Sequence, residues 1–274
     1  MDGGRLPRGG RVGHHRRAAG GHHGRRRRAT GSCCCPDGRS TAQTAPAGSL
    51  SVSRRSGGSG AGERGHHAGA VKVLAVRARL IVLASGAGTL LQALLDAQAD
   101  DAYPAEVVAV LSDRPAAHVL ARARRRGIPA EVVPFADFAD RDAWDRELGN
   151  RAASHQPDLV VLAGFMKLLS PNFLQRFPGQ VINTHPGLLP DFPGAHAVRD
   201  ALNAGASVTG ATLIWVDEGI DTGDVIARVE VSVRDEDDEA SLHERIKVVE
   251  REMLVQAVAE LVTAQQHSAT GRQQ

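Results

Sequence analysis

Apolar positions fall into two alternating patterns from residue 71 onward. Residues 79–83 form a short apolar run that ends in Ala84-Ser85-Gly86-Ala87-Gly88-Thr89, after which Leu90, Leu91, Leu94 and Leu95 repeat at helical spacing. This predicts a strand, a glycine turn and a helix. The motif recurs, with strands over 106–111 and 131–133, a helix over 115–126 closed by Gly127, and a helix over 141–154 that puts Trp144, Leu148 and Ala152 on one side. A continuous apolar strand over 158–163 runs into Gly164-Phe165-Met166-Lys167, and Ser170-Pro171 supplies the cap and first-turn proline of a short helix. Gln180-Val181-Ile182 reads as the end of a buried strand that delivers Asn183-Thr184-His185. Two more strands are predicted over 208–216 and 225–233, the second alternating like an exposed one. Leu242, Ile246, Val249, Met253, Ala257 and Leu261 then mark a long amphipathic helix.

Strands alternating with helices predict an α/β, Rossmann-like fold, a mostly parallel sheet flanked by helices on both faces. Ligands of such sheets bind beyond the carboxyl ends of the strands. The glycine turn, the Gly164–Lys167 exit and the Asn183–His185 exit all lie at such ends, so one shared cleft is expected.

Charge divides the 274 residues unevenly. Of 33 basic and 31 acidic residues, residues 1–70 hold 13 arginines, no lysine and 3 acids, which leaves 20 basic against 28 acidic residues beyond them. A mildly acidic body lacks the basic stripe that phosphate backbones require, so no nucleic-acid partner is expected. The Gly/Arg/His/Ser-rich residues 1–76 contain too little apolar surface to offset ordering entropy and read as a disordered extension, or as a translation start placed too far upstream. Residues 77–266 are expected to form a single catalytic domain and 267–274 a flexible tail. The three cysteines, Cys33, Cys34 and Cys35, are adjacent in the extension and match neither a disulfide framework nor a paired zinc site. A body without cysteine and a chain without a membrane-length apolar stretch point to the cytoplasm and to no membrane partner.

The candidate chemistry sits on Asn183-Thr184-His185-Pro186. Two residues apart in extended backbone, the amide and the imidazole face the same side. Together they can steady a developing oxyanion and move a proton, as acyl transfer requires. Asp221 lies in a polar, glycine-bearing loop, Asp217-Glu218-Gly219-Ile220-Asp221-Thr222-Gly223-Asp224, and a carboxylate beside His185 favours its imidazolium form. The remaining acids of that loop read as turn and cap residues. No third ligand accompanies His185 and Asp221, so no metal is expected. Ser85 lacks the preceding glycine of a hydrolase nucleophile elbow. The Ser85–Thr89 turn reads equally as a phosphate cradle at a helix N-terminus or as a bare tight turn.

As a set, Ser85-Gly86-Ala87-Gly88-Thr89, Asp113-Arg114, Leu162 through Ser170, Asn183-Thr184-His185-Pro186 and Asp221-Thr222-Gly223 resemble the folate-dependent formyltransferase family, in the right order and over essentially the whole body. The resemblance implies a formyltransferase with 10-formyltetrahydrofolate as co-substrate and no metal, acting on the small molecule glycinamide ribonucleotide in de novo purine biosynthesis. It leaves monomer and homodimer open. It implies that Asn183, His185 and Asp221 are catalytic, and that Gly88, Thr89 and Leu90 hold the ribose-phosphate with Glu250 near the acceptor amine. Arg141, Met166, Lys167, Leu168, Leu169 and Asn183 would meet the folate. The family often has asparagine where this chain has Leu90, histidine at Ile214 and arginine at Lys167.

Overall fold

The computed structural model describes residues 76–270. Except for Val76, the expected extension over 1–76, including its cysteines, lies outside the described residues, as does the end of the tail from 271.

Seven strands form one sheet in the order β3-β2-β1-β4-β5-β6-β7. They are β1 (Ala78–Leu83), β2 (Ala105–Ser112), β3 (Ala130–Val132), β4 (Leu159–Leu162), β5 (Val181–His185), β6 (Val208–Trp215) and β7 (Val225–Ser232). The first five run parallel, while β6 is antiparallel to β5 and to β7. Strand order reverses between β1 and β4, which splits the loops at their carboxyl ends and opens a crevice there.

Successive side chains of a strand point to opposite faces, and here both faces are buried. Leu80 and Val82 of β1 join one core with α1 (Thr89–Ala97), α2 (His118–Arg125) and α6 (Glu239–Thr270). Ile81 and Leu83 join a second core with α3 (Arg141–Ser154) and α4 (Pro171–Arg176), where Trp144, Leu148 and Phe173 are fully buried. Trp144 also stacks on Phe165, centroids 6.3 Å apart, and donates its indole N–H to the Val133 carbonyl at 2.8 Å.

The structure corrects three expectations. The helix expected from residue 115 starts at His118, because residues 114–117 form a turn closed by Ala117 N–H on the Arg114 carbonyl at 3.1 Å. A short helix, α5 (Ala197–Asn203), buries Ala197, Val198 and Ala201 where no element was foreseen. The last helix continues through Thr270, so residues 267–270 of the expected tail are helical. No helix among the described residues is long and apolar enough to cross a membrane.

Candidate active site

Asn183 and His185 end β5, in the parallel half of the sheet on one side and against antiparallel β6 on the other. The register sets Asn183 opposite Ile214 and His185 opposite Thr212. The imidazole is almost fully buried, with Nδ1 3.2 Å from Asp221 Oδ2 and Nε2 3.0 Å from the Phe192 carbonyl oxygen. Both ring nitrogens thus face acceptors, and only the doubly protonated ring donates to both. Asn183 Nδ2 donates to Asp221 Oδ1 at 3.4 Å, so one carboxylate touches both β5 side chains. A carboxamide nitrogen has two N–H groups, and among the described residues this bond is the one the structure assigns to Asn183.

Asp221 is held in place by backbone that few residues adopt. Its φ is 54°, and Phe192, which presents the carbonyl to the imidazole, has φ 53°. Left-handed backbone at non-glycine residues costs on the order of 1–3 kcal/mol and persists only where its surroundings enforce it. Here Gly194 N–H donates to Asp221 Oδ2 at 2.8 Å, tying the two strained loops together. The hydrogen bond from His185 holds the Asp221 carboxyl below its ordinary pKa. Burial opposes this, and the Gly194 N–H, the imidazole charge and Asn183 reinforce it. Asp217 builds the turn expected of it, accepting from Gly219 N–H at 3.0 Å and from the Thr222 hydroxyl at 2.8 Å. Gly223 packs against β6 so closely that a Cβ there would lie 1.8 Å from the Trp215 carbonyl oxygen.

Two further groups shape this centre. Thr212, fully buried on β6, donates its hydroxyl to the Gly187 carbonyl at 2.6 Å and accepts from Leu189 N–H at 3.1 Å. It thereby pins the segment that leaves His185. A Cβ on Gly187 would approach His185 Nε2 to 2.9 Å, so glycine there leaves room for the ring. Replacing Thr212 with valine keeps the shape but orphans two buried backbone groups. We expect a loss of about 1–3 kcal/mol in urea unfolding; a variant as stable as the parent would remove Thr212 from this role. Glu250 of α6 is 5% exposed, and burial raises its carboxyl pKa, an effect opposed by Thr184 and by the His185 charge. The Thr184 hydroxyl has no hydrogen-bond partner within normal reach, so its help to Glu250 is a weak polar contact.

Of the residues that the resemblance assigns to folate, Met166, Lys167, Leu168 and Leu169 share the segment after β4, while Arg141 begins α3 and Asn183 lies on β5. Met166 and Leu168 are exposed apolar side chains, 60% and 56% accessible, on the loop after β4. Arg141 Nη2 donates to the Leu168 carbonyl, and its guanidinium lies 5.5 Å from the Trp144 ring centroid. Lys167 Nζ lies 5.6 Å from the Phe135 ring centroid. Met166 N–H is already bonded to Ser85 Oγ at 2.9 Å. Two backbone groups of the segment, Met166 N–H and Leu168 C=O, therefore have partners within the protein. Leu169 is partly buried against the second core. Sequence reasoning missed Asp145, a buried carboxylate that accepts from Ser170 N–H at 3.1 Å and from the Ser170 hydroxyl and so anchors the end of the loop. Its signal lay only in an acid on the apolar side of α3, next to Trp144.

The glycine turn begins α1. Gly88 is the N-cap at φ 74°, with no side-chain cap and no acid in the first turn, so the first N–H groups of the helix lack intrahelical carbonyls. A Cβ at Gly88 would come within 2.9 Å of the Val119 backbone. Gly88→Ala is expected to lower Tm by an amount corresponding to roughly 1–3 kcal/mol from the left-handed backbone alone; an unchanged melting curve would contradict this. The Leu90 side chain is buried in the first core. A groove lined by Thr89, Gln92, Asp96, Arg122, Arg251 and Glu252, among others, adjoins this turn but does not include the imidazole. The groove lies beside the N-terminus of α1. Among the described residues no group of three or more His, Cys, Asp or Glu side chains is arranged to hold a metal ion.

An amide, an imidazole and a carboxylate thus converge at the carboxyl edge of this open sheet. The formyl transferase family model matches residues 78–258. The chain is 56% identical over 188 residues to phosphoribosylglycinamide formyltransferase of Mycobacterium tuberculosis, covering 68% of this chain and 86% of that protein. It is 44% identical over 188 residues to the trifunctional purine biosynthetic protein adenosine-3 of Drosophila melanogaster, covering 68% of this chain and 14% of that one. The glycinamide ribonucleotide transformylase 1 structure from Symbiobacterium toebii superposes with a TM-score of 0.66 at 40% identity, over 67% of this chain and 88% of that one. The chain belongs to the formyl transferase family, and it is a formyltransferase.

Proposed function

We propose that this chain transfers the formyl group of 10-formyltetrahydrofolate to the amine of glycinamide ribonucleotide, in de novo purine biosynthesis in the cytoplasm. The observation that carries the proposal is the contact of one Asp221 carboxylate with both Asn183 and His185 at the carboxyl edge of β5. The donor is a substrate, and it supplies an activated acyl carbon. The segment over 166–169 fits it, with exposed apolar side chains on a loop anchored by Arg141 and Asp145 beside the strand that carries Asn183.

In this reading the acceptor amine attacks the formyl carbon. A carbon–nitrogen bond forms, and charge grows on the formyl oxygen. The Asn183 amide and the His185 imidazolium stabilise that charge in a site from which burial excludes most water. The bond to the folate nitrogen then breaks, and a proton replaces the formyl group on that nitrogen. His185, charged at the outset, gives a proton to the departing folate nitrogen and regains the one that the acceptor amine releases, while Asp221 holds the ring oriented and favours its charged form. Glu250 faces the same centre and is assigned to the acceptor amine. Gly88, Thr89 and Leu90 offer backbone N–H groups to the acceptor's phosphate. Lys167 lies on the folate loop and Arg141 braces it. No step calls for a metal.

Purified protein incubated with 10-formyltetrahydrofolate, with and without glycinamide ribonucleotide, tests the proposal. Tetrahydrofolate is expected to appear only when the ribonucleotide is present. Equal release without it would assign water as the acceptor and sink the transfer reading.

A further inference from the structure

Helix α2 takes no part in the chemistry, yet it holds the glycine turn by two carbonyls. Val119 N–H donates to the Gly86 carbonyl at 3.1 Å, and Arg122 Nε donates to the Ala87 carbonyl at 2.8 Å. In a trans peptide the C=O and N–H point in opposite directions. Drawing these two carbonyls toward α2 therefore turns the N–H groups of Ala87 and Gly88 away from it, onto the open side of the turn. Gly86 and Ala87 are exposed there. The guanidinium is fixed in turn by α1: Arg122 Nη1 donates to Gln92 Oε1 at 3.0 Å, and Gln92 Nε2 donates to Asp96 Oδ1 at 2.8 Å. Leu90 brings no polar side chain to the turn, so backbone orientation carries the recognition.

We propose that Arg122 is a positioning residue for the acceptor's phosphate, fixing the direction of the turn's N–H groups through the Ala87 carbonyl while adding a cation at the edge of the same groove. The inference rests on the acceptor being a phosphorylated amine, as proposed above. A planar guanidinium can bond Ala87 and Gln92 at once, whereas an ammonium is a single point charge.

Steady-state kinetics of the full chain test it. Arg122→Ala is expected to raise KM for glycinamide ribonucleotide about tenfold, the scale of one lost charge-assisted hydrogen bond, with kcat and the KM for 10-formyltetrahydrofolate unchanged. Arg122→Lys, which keeps the charge and is the variant to rely on if the alanine protein does not fold, is expected to recover only part of the loss. Full recovery by lysine would reduce Arg122 to a bare charge and overturn the positioning role. A parallel rise in both KM values would overturn it too, as would no change in either. Titration of inorganic phosphate, followed by the amide resonances of Gly88 and Thr89, separates this inference from the functional proposal. Phosphate shifts that weaken in Arg122→Ala support it even if the wild type fails to use the ribonucleotide. Equal shifts in both proteins sink it even if the wild type turns over normally.

Discussion

Replacing His185 with alanine is expected to lower kcat by about 10²–10⁴-fold, the range contributed by a positioned general acid–base group. The proposed mechanism gives this residue two tasks at once, charge stabilisation and proton transfer. Its two ring nitrogens face Asp221 and the Phe192 carbonyl, an arrangement that suits the protonated ring, and it stands two residues from the Asn183 amide on the same side of β5. The loss should fall on kcat rather than on either KM, because a charge that stabilises the developing oxyanion acts in the transition state. His185→Gln retains a hydrogen-bond donor and some bulk, yet cannot carry the proton, so it should remain far below wild type. Turnover within a few-fold of wild type in either variant, with native circular dichroism, would remove His185 from the mechanism.

Asp221→Asn should cost on the order of 10²-fold in kcat, because an amide can neither hold the imidazole charged nor accept from Asn183 and Gly194 in the same way. This variant also has a signature in acid. The folded-state pKa of Asp221 is depressed, first by the hydrogen bond from His185. A depressed carboxylate stabilises the fold above its unfolded value of about 3.9, and that contribution disappears as pH falls through the lower folded value. Wild type should therefore exceed Asp221→Asn in Tm near neutrality, and the gap should narrow as pH drops below about 4. A gap that stays constant to the acid limit would show that the carboxylate charge contributes nothing to stability.

Much of this site could be read from the residue order because its parts lie where local pattern is strongest. Asn183 and His185 follow an apolar run, and the Ser85–Thr89 turn interrupts a strand-to-helix switch, so each announced a strand end. The parallel order that brings these ends together followed from alternation of strands and helices alone. What the sequence hid depends on contacts between distant elements. Thr212 is one polar residue in a β-rich run, and its role comes from antiparallel register that places it beside the segment leaving His185. Asp145 is an acid on the apolar side of α3 whose partner, Ser170, is distant in sequence. Arg122 is one of several arginines on α2 and is distinguished by reaching the Ala87 carbonyl and Gln92. Helix α5 has seven residues, too few turns to show a period, and follows a loop rich in proline and glycine. The helical stretch over 267–270 lacks any stop residue, so polarity alone suggested an end that the backbone does not make.

Ser85 closes the first strand's exit and Met166 opens the fourth's, and they are joined side chain to backbone while Ser85 N–H reaches the Gly164 carbonyl at 3.1 Å. In the proposed reading, the segments that meet donor and acceptor are thus stitched along a common seam. Anyone re-engineering this protein to accept another one-carbon donor will be editing its grip on the ribonucleotide as well, and selections that monitor only one of the two ligands will misread their own winners.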